Sequence, residues 1–165
     1  WSNENHQTST SIVWAGGDVR GKEQLTYTSL DDFRILRSQF YGDGKYSLKN
    51  RVNLPNSIFL QVPFSKVGLT EKQALEEGFK IKIKEIPAAA VPKLQLEFKT
   101  TGLLRAIVDS KTNKILGAAL FCYNSPEVIN IIKTAIDTGL DYTVLRDQIF
   151  THPTVAESLN DLFNL

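Results

Sequence analysis

The spacing of apolar residues changes period several times along this chain. Ser11-Ile12-Val13-Trp14-Ala15 is rich in β-branched and aromatic residues and predicts a short buried strand. It stops at Gly16-Gly17-Asp18-Val19, where two glycines allow a sharp turn. Leu30, Phe33, Leu36 and Phe40 then recur at helical spacing, with Ser29 as the expected N-cap, Asp31 and Asp32 in the first turn and Gly42 as the stop. That helix has one apolar face and needs a surface to lie on, which a single strand does not supply. From Gly42 to Asn56 the chain is polar and turn-rich, as a linker would be.

A second unit follows. Ser57 to Val62 predicts a strand ended by Pro63, and Thr70-Glu71-Lys72-Gln73 is a capping box opening a short helix that Gly78 closes. Phe79 to Ile86 alternates apolar and charged residues, predicting a strand with one buried face and one solvated lysine face. Gly102–Val108 and Ile115–Cys122 flank the polar turn 109–114, the pattern of an antiparallel hairpin. Gly117, Ala118 and Ala119 make its second strand thin enough for close packing. Ser125-Pro126-Glu127 starts the longest helix, whose wide apolar arc (Val128, Ile129, Ile131, Ile132, Ala135, Ile136, Leu140) implies burial on two sides, a core contact and a subunit contact. A short helical piece, Tyr142–Gln148, leads to His152. Locally paired strands with helices gathered around them make residues 52–165 an α+β unit, an antiparallel sheet with helices packed on it.

Two stretches carry candidate chemistry. Asp18, just past the predicted strand end, is placed to accept hydrogen bonds from a sugar hydroxyl; an ordinary Gly-Gly-Asp turn explains it equally well. In Thr151-His152-Pro153-Thr154-Val155-Ala156-Glu157, a helix starting at Thr154 would turn Glu157 back toward His152, the arrangement of a general acid/base and its orienting carboxylate. The same residues read as Thr154-x-x-Glu157, a capping box at a helix start.

Composition narrows the classes. With 165 residues, 42% hydrophobic and 22% charged, the chain has the makeup of a soluble globular protein with one good core. A net charge of +1 with mixed signs gives no nucleic-acid footprint and no polybasic membrane patch. No apolar run approaches the ~20 residues of a membrane helix, and the polar N-terminus lacks a signal-peptide core. The single Cys122 permits neither an internal disulfide nor a cysteine metal site, which fits a reducing cytoplasm, and as a small residue in an apolar strand it reads as core. His6 and His152 lie too far apart to form zinc-ligand spacing, so no metal is expected. The chain contains no Met, even at position 1, and is read as a trimmed protein or a piece of a longer one. Gly-x-Gly-x-x-Gly, Walker, Cys-x-x-Cys and nucleophile-elbow motifs are all missing, so the His–Glu pair stands without a cofactor cradle.

The run Asp147-Gln148-Ile149-Phe150-Thr151-His152-Pro153-Thr154, with Glu157 and the ending Leu159-Asn160-Asp161-Leu162-Phe163, resembles the pyridine nucleotide-disulfide oxidoreductases. Val67-Gly68-Leu69-Thr70-Glu71, Gly102 to Val108, Ile115-Leu116-Gly117-Ala118 and Glu127-Val128-Ile129-Asn130 resemble the same family in the right order. Ile12 to Val19 resembles its second FAD motif, and Leu25 to Asp32 is most similar to the reactive-chlorine resistance subgroup.

The resemblance implies a C-terminal remnant of an FAD-binding domain plus linker at 1–51 and a dimerisation domain at 52–165. It implies cofactor-binding roles for Gly17 and Asp18, with Asp18 at the ribityl chain, and for Leu25 and Thr26 beside the flavin. His152 and Pro153 would reach the partner subunit's flavin, with His152 as acid/base for its redox thiols and Glu157 holding the ring. FAD and NAD(P)H would serve the full-length protein, a cytoplasmic homodimer acting on a small disulfide or related oxidant, while the fragment alone would bind neither cofactor and be inactive. The redox cysteine pair, the first FAD glycine motif and the NAD(P) domain would lie upstream. A freestanding, non-catalytic homodimerisation module is the alternative, and the reading frame before Trp1 separates the two.

Overall fold

Antiparallel pairing organises the larger part of the chain. A computed structural model describes residues 1–165, and it divides into two units, Trp1–Val52 and Asn53–Leu165. In the second unit, strands β1 (Asn56–Ile58), β2 (Phe64–Gly68), β3 (Ile81–Pro87), β4 (Leu103–Asp109) and β5 (Ile115–Phe121) form one sheet in the order β1-β2-β5-β4-β3. Every neighbouring pair is antiparallel. The expected hairpin is β4–β5, with a register shift at Ile107/Val108.

Cross-strand partners share a face, and this fixes the core. Val67, Ala118, Leu104, Ala106 and Leu120 point to one side, where the longest helix, α4 (Ser125–Asp137), packs through Val128, Ile129, Ile132 and Ala135. The last helix, α6 (Ser158–Leu162), adds Leu159 and Leu162 to the same core, joined by Phe163. Cys122 is fully buried within it. On the other side, α2 (Glu71–Glu76) is tied to the sheet by Arg105 Nη2, which donates to Glu71 Oε2 at 2.6 Å. The Thr70/Gln73 capping box opens α2 as its sequence predicts.

Several local expectations are corrected. Residues 57–62 do not form one strand: β1 stops at Ile58, Phe59 and Leu60 are exposed, and pairing resumes beyond Pro63 in β2. Pro63 lacks the amide that a continuous ladder needs, and its carbonyl accepts from Cys122 N–H. The alternation in β3 is out of phase with its burial. Lys82 and Lys84 lie opposite Val108 and Ala106, on the face that also carries buried Ile86, so the lysines sit at the rim of the core side of an edge strand. A short helix, α3 (Pro92–Leu96), has Pro at its start and no forecast in the apolar pattern. Gly117 gives the close packing expected of it to backbone: a Cβ there would overlap the Leu69 carbonyl, and Leu69 N–H donates to Leu116 O at 2.8 Å.

In the first unit, residues 11–15 are not a strand. Trp14 makes only an isolated bridge to Gln7, and Ile12 and Val13 are exposed; β propensity becomes a strand only where a ladder partner exists. The helix α1 runs Thr26–Tyr41, with Leu25 at its N-cap, four residues ahead of the expected Ser29. Its buried side is Thr28, Asp31, Asp32 and Ile35, while Leu30, Phe33 and Phe40 are exposed. The two aspartates turn inward to meet the buried Arg51 and Arg20.

Candidate functional site

The C-terminal loop carries the expected pair. Helix α5 (Tyr142–Asp147) is held in the core by Tyr142 and Leu145. Beyond it the chain runs through Ile149, 97% exposed, to His152 and the cis His152–Pro153 peptide. The His152 side chain is 70% exposed, whereas that of Glu157 is 18% exposed, and His152 Nδ1 lies 2.7 Å from Glu157 Oε2. In the tautomer that donates from Nδ1 to the Glu157 carboxylate, Nε2 is the ring nitrogen left facing outward.

The helix expected from Thr154 begins instead at Ser158, and Glu157 is its N-cap. Residues 155–158 form a tight turn first, with Ser158 N–H donating to Val155 O, and Asn160 N–H donates to Glu157 O in the first turn of the helix. The capping-box bonds nevertheless form: Glu157 N–H donates to Thr154 Oγ1 at 3.2 Å, and Thr154 N–H to Glu157 Oε1 at 3.3 Å. Thr154 Oγ1 also donates to Thr151 O at 2.7 Å, bracing both sides of the His152–Pro153 turn. One Glu157 oxygen therefore serves the box and the other serves the imidazole. Asn160, which had no site signal in the sequence beyond its place in the terminal motif, donates from Nδ2 to Leu145 O, Arg146 O and Gln148 O.

The second group of predicted residues lies in the first unit. Gly17 adopts φ +76° at the head of a 3-10 turn (Gly17–Arg20), and its N–H donates to Asp32 Oδ2 at 2.7 Å. Asp18 is exposed, its carboxylate meeting Ser29 Oγ at 3.4 Å, which places it at the first turn of α1. Leu25 and Thr26 form the start of that same helix, where no side chain caps the amides. Gly17, Asp18, Leu25 and Thr26 are thus gathered around one helix N-terminus.

Beneath them is a buried ion network that composition did not reveal. Arg51 Nε donates to Asp31 Oδ2 at 2.7 Å and Arg51 Nη2 to Asp32 Oδ1; Tyr46 OH donates to Asp31 Oδ1 at 2.7 Å, and Arg20 Nη1 lies 3.5 Å from Asp32 Oδ1. Burial alone would raise the Asp32 carboxyl, but bonds from Arg51 and the Gly17 amide outweigh it and hold it below the usual range. His6 is fully buried at φ +68°, and burial lowers its pKa against the pull of Asp32. His6 Nε2 is 3.2 Å from Asp32 Oδ1 but makes no well-aligned hydrogen bond, so the contact is Coulombic. His6 and His152 lie in different units, and no group of three His, Cys, Asp or Glu side chains is placed to hold a metal. Burial raises the Cys122 thiol to about 12. No helix is long and apolar enough to cross a membrane.

The five-stranded antiparallel sheet with its helical layer is the fold of the dimerisation domain of flavoprotein disulfide oxidoreductases. Residues 54–163 match the pyridine nucleotide-disulphide oxidoreductase dimerisation domain, and the chain belongs to that family. It is 52% identical over 158 residues to a probable pyridine nucleotide-disulfide oxidoreductase, RclA, of Escherichia coli, covering 96% of this chain and 36% of that protein. It is 32% identical to a mercuric reductase of Staphylococcus aureus, covering 96% of this chain and 29% of that one. The structure superposes on the HOCl-induced flavoprotein disulfide reductase RclA from E. coli with a TM-score of 0.97 at 50% identity, over 100% of this chain and 38% of that one. The chain therefore spans about a third of the length of the relatives it matches.

Proposed function

We propose that this chain is the C-terminal part of an FAD-dependent NAD(P)H:disulfide, or related oxidant, oxidoreductase. In this reading Trp1–Val52 is the end of an FAD-binding domain and Asn53–Leu165 pairs with a second copy. His152 then acts at the partner subunit's active site. The observation that carries the reading is the 2.7 Å contact that holds an otherwise exposed imidazole to a largely buried carboxylate. Such anchoring fixes the direction of an exposed ring, as a group that must meet a reacting atom requires.

The chemistry follows from the tautomer. With Nδ1–H engaged by Glu157, Nε2 can take the proton from a thiol as it becomes a thiolate nucleophile, and the imidazolium returns it when a thiolate leaves. Glu157 stabilises the imidazolium between those two steps. When bound, FAD would supply the route for electrons from NAD(P)H, with Gly17, Asp18, Leu25 and Thr26 holding its polar groups. Pro153 fixes the backbone beside the ring. The isolated chain lacks the thiols and is expected to be inactive.

The test is kinetic. The intact protein, with NADH or NADPH as donor, is offered dithiobis(nitrobenzoate), lipoamide and mercuric chloride as acceptors. A His152→Gln variant should lose about a hundredfold in kcat with the best acceptor, the contribution typical of a positioned acid/base. Full activity of that variant, or nicotinamide turnover by the 165-residue chain alone, would overturn the proposal.

A further inference from the structure

The loop that presents His152 has little burial to hold it. Ile149 and His152 are exposed and only Phe150 packs partly against the core. Two polar anchors fix its ends, and both lie on the same short stretch of chain. Glu157 holds the imidazole. One turn further on, Asn160 Nδ2 reaches Leu145 O at 2.9 Å, Arg146 O at 2.8 Å and Gln148 O at 3.0 Å. Asn160 N–H also donates to Glu157 O at 3.1 Å, so the two anchors are coupled through the backbone.

The end of α5 makes this unusual. Its C-cap, Gln148, is extended at φ −66° and ψ 143°, with no glycine after it and no backbone bond closing the last turn. The terminal carbonyls of a helix need partners, and a side-chain amide from a different helix supplies them here. Three carbonyl acceptors leave no doubt which amide atom is nitrogen, and two protons shared among three oxygens restrict its rotation.

We infer that Asn160 is a positioning residue for the His152 acid/base: by tying α6 to the end of α5 it fixes the point from which residues 149–152 depart and so the direction of the imidazole. The inference rests on the acid/base reading of His152. A ring displaced by about 1 Å is enough to cost a large factor in rate.

The intact protein, assayed with the acceptor it reduces fastest, separates the outcomes. Asn160→Ala should lower kcat by about tenfold and leave KM for the nicotinamide donor unchanged. Asn160→Asp, which sets a carboxylate oxygen against three carbonyls, should lose more, and Asn160→Ser, which keeps one donor, should recover part of the rate. In a His152→Gln background Asn160→Ala should cost nothing further, because the group it aims is gone. An equal loss in both backgrounds, or a loss that follows the thermal unfolding midpoint alone, would make Asn160 merely structural and overturn the inference. A slow His152→Gln enzyme beside a fully active Asn160→Ala enzyme would overturn it while sparing the acid/base reading. A fully active His152→Gln enzyme would overturn both.

Discussion

Arg51 closes the first unit on Asp32: its Nη2 meets Asp32 Oδ1, while its Nε donates to Asp31 Oδ2 at 2.7 Å. The side chains of Arg51 and Asp32 are 8% and 4% exposed. Removing one partner of a buried pair leaves the other charge uncompensated. Arg51→Ala should therefore destabilise this unit by about 3 kcal/mol. Both tryptophans, Trp1 and Trp14, lie within it, so intrinsic fluorescence during urea unfolding reads the loss selectively. An unchanged midpoint would remove the network from the account of stability.

The same network sets an acid limit. The folded pKa of His6 lies below 6.5 and that of Asp32 below 3.8. In both cases the unfolded chain binds the proton more readily, so stability is full above the unfolded value and falls as pH drops through the window beneath it. Tryptophan-monitored unfolding should weaken first below about pH 6.5, from His6, and again below about pH 4, from Asp32. His6→Gln should flatten the first decline and shrink the second only in part, because Arg51 and the Gly17 amide still hold the Asp32 carboxyl down.

Gly117 lies where the Leu69 backbone crosses β5. Gly117→Ala should destabilise the second unit by about 1–3 kcal/mol, the range for forcing extra volume into a packed site. Leu116→Ala, at a neighbouring position whose side chain is only partly buried, is the control for lost strand packing. Circular dichroism through a thermal scan measures both.

Thr154 braces the His152–Pro153 turn by donating to Thr151 O and accepting from Glu157 N–H. Thr154→Ala should cost about 1 kcal/mol, as loss of a capping hydroxyl does, and Thr154→Ser should restore most of it. Chemical denaturation of the two variants side by side decides the point.

Cys122 is fully buried and its thiol is raised to about 12. The thiolate is the reactive form, so iodoacetamide at pH 8 should leave the folded chain unmodified and alkylate it in denaturant. Mass spectrometry detects the added group. Rapid modification of the folded chain would contradict its place in the core.

Much of the second unit is legible in the chain. The apolar runs of β4 and β5 around a polar turn, the Thr70 capping box and the Pro126 helix start are local signals, and each element forms from contacts within a few residues of itself. His152 and Glu157 are near enough in sequence for their pairing to follow from one turn of chain. What tertiary structure alone decided depends on partners distant in sequence. Ser11–Ala15 has strand composition but finds only a bridge, and β2 has modest strand character but finds β5. The inward turn of Asp31 and Asp32 on α1 depends on Arg51, twenty residues from Asp31, which meets both carboxylates. Asn160 reaches α5 only because α6 folds back onto the same core. Periodicity records which residues prefer burial; it does not record which charge waits on the other side.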